Sequence, residues 1–345
     1  MKFLKKVLYV LYLSLACILL LEICVRLWGY SDRYIYDPIY QAVPGSQDIP
    51  YFQKPCLENA KARGLAVINT DALGLRALKS CEKIGPKGPG ELRIAIAGDS
   101  VTFGEGVPNT KDTYPVVLER ILEAKLPNHK VRVFNFGVSA YSVKEMASIL
   151  KEKILAIDPD IVIMAIIPHD FDLGRTGIVD KWGYTVHMDS HSLLCRNPTM
   201  RNFLRHFHLL YLLRDLYHAY LERHKSIAEG GDVDEKVPAS YRYIKKFADI
   251  AKKNGIQCIV VLLPCLDRKF SRELLSMFKK DHIQFLDISN LERRFTVRQF
   301  MASRFDAHPS AMVHKAIAQA IACFILGHME VIAGQDPKSH PKQGR

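Results

Sequence analysis

The 345-residue chain contains eight cysteines but no Cys-x-x-Cys pair. That removes the spacing on which zinc ribbons and thioredoxin-like redox sites depend. It has no Lys/Arg-rich block beyond short runs such as Lys5-Lys6 and Lys245-Lys246. Its formal charge of +12, from 48 basic against 36 acidic residues, is spread along the chain. None of the usual nucleic-acid-binding signatures accompanies that surplus, so no nucleic-acid partner is expected. The charge reads as solubility plus attraction to an anionic surface, such as a membrane or an acidic polymer. There is no internal repeat, and no low-complexity tract except the polar tail after Gly334. With 48% hydrophobic and 24% charged residues, the chain is neither disordered nor collagen-like, and it lacks the apolar runs of a multi-span transporter.

One long apolar run is present. Val7 to Val25 carries a single charge, Glu22, and approaches the roughly 20 residues a helix needs to cross the hydrocarbon. Lys2, Lys5 and Lys6 precede it, which places the N-terminus in the cytoplasm by the positive-inside rule. Trp28 and Tyr30 follow at the level of an aromatic belt, and Glu22 lies four residues before Arg26, near enough to pair. A cleaved signal peptide is the competing reading. The run is longer than a typical h-region and no small-x-small site ends it. Ser14-Leu15-Ala16-Cys17 is faintly like a lipoprotein box, but the chain stays apolar after Cys17. An uncleaved anchor is therefore expected, with the remainder of the chain extracytoplasmic.

Cys56 and Cys81 flank the segment before the main domain and are able to bridge in an oxidising compartment. Cys258 and Cys265 are a different case: an extended strand holds them roughly 20 Å apart, too far for a disulfide. Together with Cys323 they read as buried small hydrophobes.

Residues 31–90 are rich in Tyr, Pro and Gly, read as an arm, and end in the linker Gly85-Pro86-Lys87-Gly88-Pro89-Gly90. Strands are then expected at Leu92–Ala97, Val131–Phe136, Asp160–Ile167, Ile256–Leu263 and Ile283–Ile288. Helices are expected at Tyr114–Leu126, Val143–Ile157, Tyr241–Asn254, Arg272–Lys280 and Ser310–Leu326. Apolar strands alternating with amphipathic helices imply a parallel sheet covered on both faces. This is a flavodoxin-like, three-layer α/β/α fold with five strands, plus the N-terminal transmembrane helix. Asp170 to Pro238 interrupts the alternation. Within it, Asn197-Pro198 opens a long helical pattern with Phe203, Phe207, Leu210, Tyr211, Tyr217 and Leu221 near one face, made basic by Arg201, Arg205, His206, Arg214, Arg223 and His224. A lid over the site, a helix lying on an anionic membrane and a helix packed on the core all fit that pattern.

Parallel sheets of this kind place ligands at the carboxyl ends of their strands. After the first strand comes Gly98-Asp99-Ser100, where a strand-to-helix turn can hold the serine hydroxyl exposed. After the second comes Asn135-Phe136-Gly137-Val138-Ser139-Ala140-Tyr141, and after the third Pro168-His169-Asp170. Just before the last helix comes Asp306-Ala307-His308-Pro309-Ser310. A histidine there can act as general base to a serine from the first strand, and a nearby carboxylate can fix its tautomer.

These residues resemble the SGNH hydrolase family, also called GDSL esterases, over roughly Leu92 to Leu326 outside the insertion. The resemblance implies Ser100 as nucleophile, His308 as base and Asp306 as the acid of a triad. It also implies an oxyanion hole made by the Ser100 and Ala140 N–H groups and the His169 side chain, with Gly137 as an alternative donor. Asp99, Asn135 and Asp170 would support it. Three positions depart from the family pattern. Ala140 stands where a Gly is usual, His169 replaces the Asn of Gly-x-Asn-Asp, and the last block is Asp-x-His rather than Asp-x-x-His, with Phe305 at the more common acid position. The arm motif Ile68-Asn69-Thr70-Asp71-Ala72-Leu73-Gly74-Leu75-Arg76 is similar to one found ahead of this domain in membrane-anchored bacterial members associated with exopolysaccharide. The implied organisation is a cytoplasmic N-terminus (1–6), a transmembrane anchor (7–28), an extracytoplasmic arm (29–90), a hydrolase domain (91–330) with a helical insertion (171–238), and a flexible tail (331–345).

The implied activity is hydrolysis of an ester-linked acyl group, with O-acetyl on an extracytoplasmic glycan as one substrate, and no cofactor or metal is required. Three further readings stay open: an O-acyltransferase using the same triad on exopolysaccharide, an inactive glycan-binding or assembly protein, and a metal-dependent phosphoesterase built from Asp99, His169, Asp170, Asp306 and His308. Metal-ligand spacing such as His-x-x-x-His, which the last would favour, is missing among those five.

Overall fold

The computed structural model describes residues 2–34, 36–186, 197–224 and 233–333. The segments 187–196, 225–232 and 334–345, the last holding most of the expected tail, lie outside the described residues.

Five strands form the central sheet: β1 (Glu91–Gly98), β2 (Lys130–Gly137), β3 (Ile161–Ile166), β4 (Gln257–Leu262) and β5 (Phe285–Asp287). Their order is β5-β4-β3-β1-β2, all parallel, which is the expected flavodoxin-like winding. The period of two along β3 shows why the run is apolar throughout. Val162, Met164 and Ile166 enter one hydrophobic cluster, while Ile161, Ile163 and Ala165 enter the other. Both faces are covered, so neither can be polar.

On the second face lie α3 (Tyr114–Lys125), which buries Leu118 and Leu122, and the closing helix α8 (Ala311–Ala333), which buries Val313, Ile317, Ile321 and Ile325. The first face carries α4 (Val143–Glu152), α6 (Val233–Lys253) and α7 (Arg272–Lys280). At the start of α4, Ser142 and Glu145 form a reciprocal capping box that fixes where the chain leaves the β2 loop. The expected helices and strands occur, with boundaries moved by a few residues. Two differ more. The helix expected from Tyr241 begins at Val233, so the insertion runs into α6 without a break and Pro238 sits inside the helix. The long helix expected from Pro198 is two helices, Pro198–Leu204 and α5 (His208–His224).

The arm is more structured than its composition implied. Tyr40–Ala42 pairs with Tyr51–Gln53, and Val67–Thr70 is the middle strand of a small antiparallel sheet. Ile39, Tyr40, Tyr51, Ile68 and Leu75 enter the first-face core. Cys56 and Cys81 form a disulfide across this region, and Cys258, Cys265 and Cys323 are free thiols. Of these, Cys258 and Cys265 are partly buried, whereas Cys323 is exposed rather than buried. It lies on α8, whose inward face is taken up by the larger aliphatic side chains.

The N-terminal helix α1 (Lys2–Trp28) is apolar and exposed along nearly its whole length, with only Val25 buried. A stretch of α8 is also long and apolar enough to cross a membrane, but its inward face is core. Glu22 and Arg26 pair as expected, Arg26 Nε donating to Glu22 Oε1 at 2.7 Å.

Candidate active site

The adjacent carboxyl ends of β1 and β2 bring Gly98 beside Gly137. The four-residue helix α2 (Ser100–Phe103) sits directly on top. A Cβ on Gly98 would lie 1.9 Å from Thr102 Oγ1, and one on Gly137 would lie 2.2 Å from the Phe103 N. Only glycine allows the turn to fold back this closely. Asp99 caps α2 by accepting from the Val101 N–H at 2.9 Å. The serine is thereby presented at the strand end with its backbone N–H in the unpaired first turn.

The hairpin Met301–Ser303/Asp306–Pro309 delivers the histidine to this point. His308 Nε2 lies 3.0 Å from Ser100 Oγ, and His308 Nδ1 lies 2.6 Å from Asp306 Oδ1. The Asp-x-His spacing works because Asp306 also accepts the His308 backbone N–H at 3.1 Å, curling the carboxylate back onto its own histidine. Phe305, the residue at the alternative acid position, instead packs edge-on against Trp28 and Tyr30.

A second carboxylate reaches the same ring. Glu105 Oε2 lies 3.2 Å from His308 Nε2, with the Glu105 side chain only 4% exposed. Its other oxygen accepts from Ser139 Oγ at 2.5 Å. Burial alone would push the His308 pKa down. The Asp306 hydrogen bond and the charges of Glu105, Asp306 and Asp99 outweigh it and raise the pKa to about 9.

The residues expected as oxyanion donors are arranged differently from the sequence expectation. His169 lines the same cleft as Ser100, but its Nε2 faces Asp267 at 2.9 and 3.1 Å. Gly137 does not serve as a spare donor, because its N–H is taken by Asn135 Oδ1 at 2.9 Å. Asn135 is thus a local strut; its Nδ2 is buried without a partner among the described residues. Ala140 has φ +64°, the left-handed region that explains why glycine is usual here. It stands outside the residues lining the cleft. Arg175, from the insertion, does line it. Its Nη1 donates to Asp170 Oδ1 at 2.5 Å and its Nη2 to Asp99 Oδ2 at 3.2 Å. The Ser100 hydroxyl donates to that same Asp99 oxygen at 3.3 Å. Asp170 is fully buried. Burial and the Asp99 charge push its carboxyl well above the usual range, while Arg175 pulls the other way. Both acids hold the guanidinium charged against the cost of its own burial.

The cleft, about 420 Å³, is also lined by Tyr34, Arg63 and Phe305. The arm therefore contributes to the site directly. Arg63 is half-buried; loss of water works against its charge, but Tyr36 and Glu105 more than offset that. Arg76, the last residue of the arm motif, donates to the carbonyls of Phe103, Gly104 and Val107 and so braces the loop carrying Glu105. Tyr51 OH and Gln53 Nε2 hold the carbonyls of Ser139 and Gly137 on the β2 loop.

Glu105, Arg175 and Arg63 were not singled out from the sequence. A signal existed for Glu105, an acid between Gly104 and Gly106 directly after the helix that carries Ser100; Arg175 and Arg63 depend on tertiary packing. Among the described residues, one group of three donor side chains lies close enough to share a metal ion: His169, Cys265 and Asp267. Here they bond to one another, Asp267 accepting from both neighbours, and burial pushes the Cys265 thiol up to about 12.

No family model and no curated protein matches the chain. Solved structures similar to it include a protein of the G-D-S-L lipolytic family from Desulfitobacterium hafniense, at 17% identity over 67% of this chain and 98% of that one, with a TM-score of 0.41. Another is the lipase/acylhydrolase of Enterococcus faecalis, at 13% identity over 69% and 96%, with a TM-score of 0.41. A third is a variant of an acetylxylan esterase from Geobacillus stearothermophilus, at 15% identity over 70% and 96%, also with a TM-score of 0.41.

Proposed function

We propose that the chain is a serine esterase of the SGNH type that removes an ester-linked acyl group. One observation carries this reading: the His308 imidazole touches Ser100 through one nitrogen and Asp306 through the other. Ser100 Oγ gives its proton to His308 Nε2 and attacks the ester carbonyl. Asp306 fixes the tautomer and balances the imidazolium. The oxyanion is met by the Ser100 N–H and by the Arg175 guanidinium, which lines the cleft and takes over from a His169 already engaged by Asp267; Ala140, outside the lining, is not called on. His308 then protonates the leaving alcohol, and a second nucleophile opens the acyl-enzyme.

If that nucleophile is water, the protein is a deacylase, and O-acetyl on an extracytoplasmic glycan is the substrate we favour. If it is a sugar hydroxyl, the same triad performs acyl transfer. In the expected topology α1 is an uncleaved anchor with the catalytic domain outside the cytoplasm. The Lys2, Lys5 and Lys6 charges before the apolar helix support it, as does the Cys56–Cys81 disulfide.

The test is to treat the purified full chain with a fluorophosphonate probe and with p-nitrophenyl acetate. Labelling at Ser100, and loss of both labelling and turnover in Ser100→Ala, is the expected result. Undiminished turnover in Ser100→Ala would sink the mechanism. Incubation with acetylated and unacetylated exopolysaccharide, with and without an acetyl donor, then separates the roles. Free acetate marks hydrolysis, glycan-bound acetate marks transfer, and neither marks a binding or assembly protein.

A further inference from the structure

Helix α5 wears its apolar face outward. Leu210, Leu213, Leu216, Tyr217 and Tyr220 recur at helical spacing and are 39% to 60% exposed, and Phe203 and Phe207 extend the patch upstream. The less exposed face is mixed, with Leu209, Tyr211 and Leu212 beside His208 and Asp215, and Arg214 is a charge on the exposed side. Asp215 accepts from the Tyr30 and Tyr34 hydroxyls at 2.9 and 2.7 Å, and Tyr34 stacks on Tyr211. A helix on a water-bathed surface keeps its exposed face polar, so a run of exposed apolar side chains along this one marks an interaction surface.

The position of α5 identifies what covers that face. The Glu22 carboxylate of α1 accepts from the backbone N–H groups of His208 and Leu209 at 2.9 and 2.7 Å, and Arg26 Nη2 donates to the His206 carbonyl at 2.6 Å. The start of α5 is therefore pinned to the last turns of the apolar helix. A 27-residue helix is about 40 Å long, against about 30 Å of hydrocarbon. Its final charged turns thus stand at headgroup level, and α5 starts there with them. The catalytic cleft is tied to the same place: Phe305, one of its lining residues, packs against Trp28 and Tyr30, and Arg304 lies over the Trp28 ring at 5.9 Å.

From this we propose that the outward face of α5 lies on the lipid surface beside the anchor, and that this contact sets the cleft of Ser100 at the membrane interface, open to esters carried there. The proposal rests on the reading of α1 as an anchor and deepens the functional one. The substrate class it names is the same acylated glycan carried on a lipid, an amphiphilic ester delivered in the plane of the bilayer.

The experiment uses the full chain with Trp28 and Trp182 replaced by Phe, reconstituted in phosphatidylcholine/phosphatidylglycerol nanodiscs with lipids brominated at shallow or deep positions. Single reporters are placed at Leu13→Trp (mid-anchor), Leu216→Trp or Tyr217→Trp (outward face), and Lys253→Trp (the far end of α6). Leu13→Trp must be quenched by deep bromine; if it is not, the anchor reading itself fails. With that satisfied, several-fold quenching of the α5 reporters by shallow bromine and none of Lys253→Trp is the expected result. Quenching of the α5 reporters no greater than that of Lys253→Trp overturns the proposal. In a paired assay, Leu213→Asp/Leu216→Asp is expected to lower turnover of a vesicle-borne ester several-fold while leaving a soluble nitrophenyl ester unaffected. An equal effect on both substrates also overturns it.

Discussion

The two sides of the cleft are built on different plans. On the His308 side the parts come from chain segments the sequence marks plainly, and each is held by a short, direct bond: Ser100 to His308 and His308 to Asp306. On the oxyanion side the expected imidazole is engaged elsewhere, and a guanidinium from the insertion stands between two buried carboxyls. The lesson is one of tolerance. Proton transfer needs particular side-chain types in contact, so its residues stay recognisable. Stabilising a negative oxygen needs only correctly aimed donors, which histidine, arginine or a backbone N–H can supply.

That contrast can be broken at four points. Ser100→Ala removes the proposed nucleophile and is expected to lower ester turnover by at least about 10⁴-fold, measured as kcat with the circular-dichroism spectrum unchanged. Arg175→Gln tests the guanidinium. If it faces the oxyanion, kcat falls by about 10²–10³ with KM little changed. A lower melting temperature without that kcat loss would reduce Arg175 to a strut between Asp99 and Asp170.

Glu105→Gln sharpens the His308 side. The proposed general base His308 must be neutral to act, so kcat/KM of the unsubstituted chain is expected to rise with pH through about 9. Removing the Glu105 carboxylate makes the imidazolium less stable, and the midpoint moves down; an unmoved midpoint contradicts the assigned contact. The same raised pKa gives a stabilising contribution that is fully present below about 6.5, the ordinary histidine value, and is lost as the pH climbs through about 9. His169→Ala carries the smallest effect, less than about tenfold in kcat and below what an oxyanion donor supplies. A larger loss would return His169 to the role its sequence position suggested.

The strands and helices that frame the site were legible because parallel sheets demand two-sided burial, which writes long apolar runs such as Ile161–Ile166. Gly98 and Ser100 were legible because they follow the first apolar strand directly, and Asp306 and His308 because they stand together just before the closing helix. The early start of α6 was hidden by Pro238, which is read locally as a helix breaker. The arm's role was hidden because its contacts are long-range. Nothing near Arg76 in sequence announces that it will hold carbonyls on the nucleophile's loop. Arg175 was hidden for the same reason, being one arginine in a polar insertion until the fold sets it beside Asp99.

The Cys56–Cys81 bond closes a 25-residue span that contains Arg76. Cross-links over loops of that size stabilise folded chains by about 3 kcal/mol and endure only where thiols are kept oxidised. Reduction of that bond would leave the segment that carries Arg76 held by hydrogen bonds alone, so the firmness of the support under the Glu105 loop follows the redox state around it.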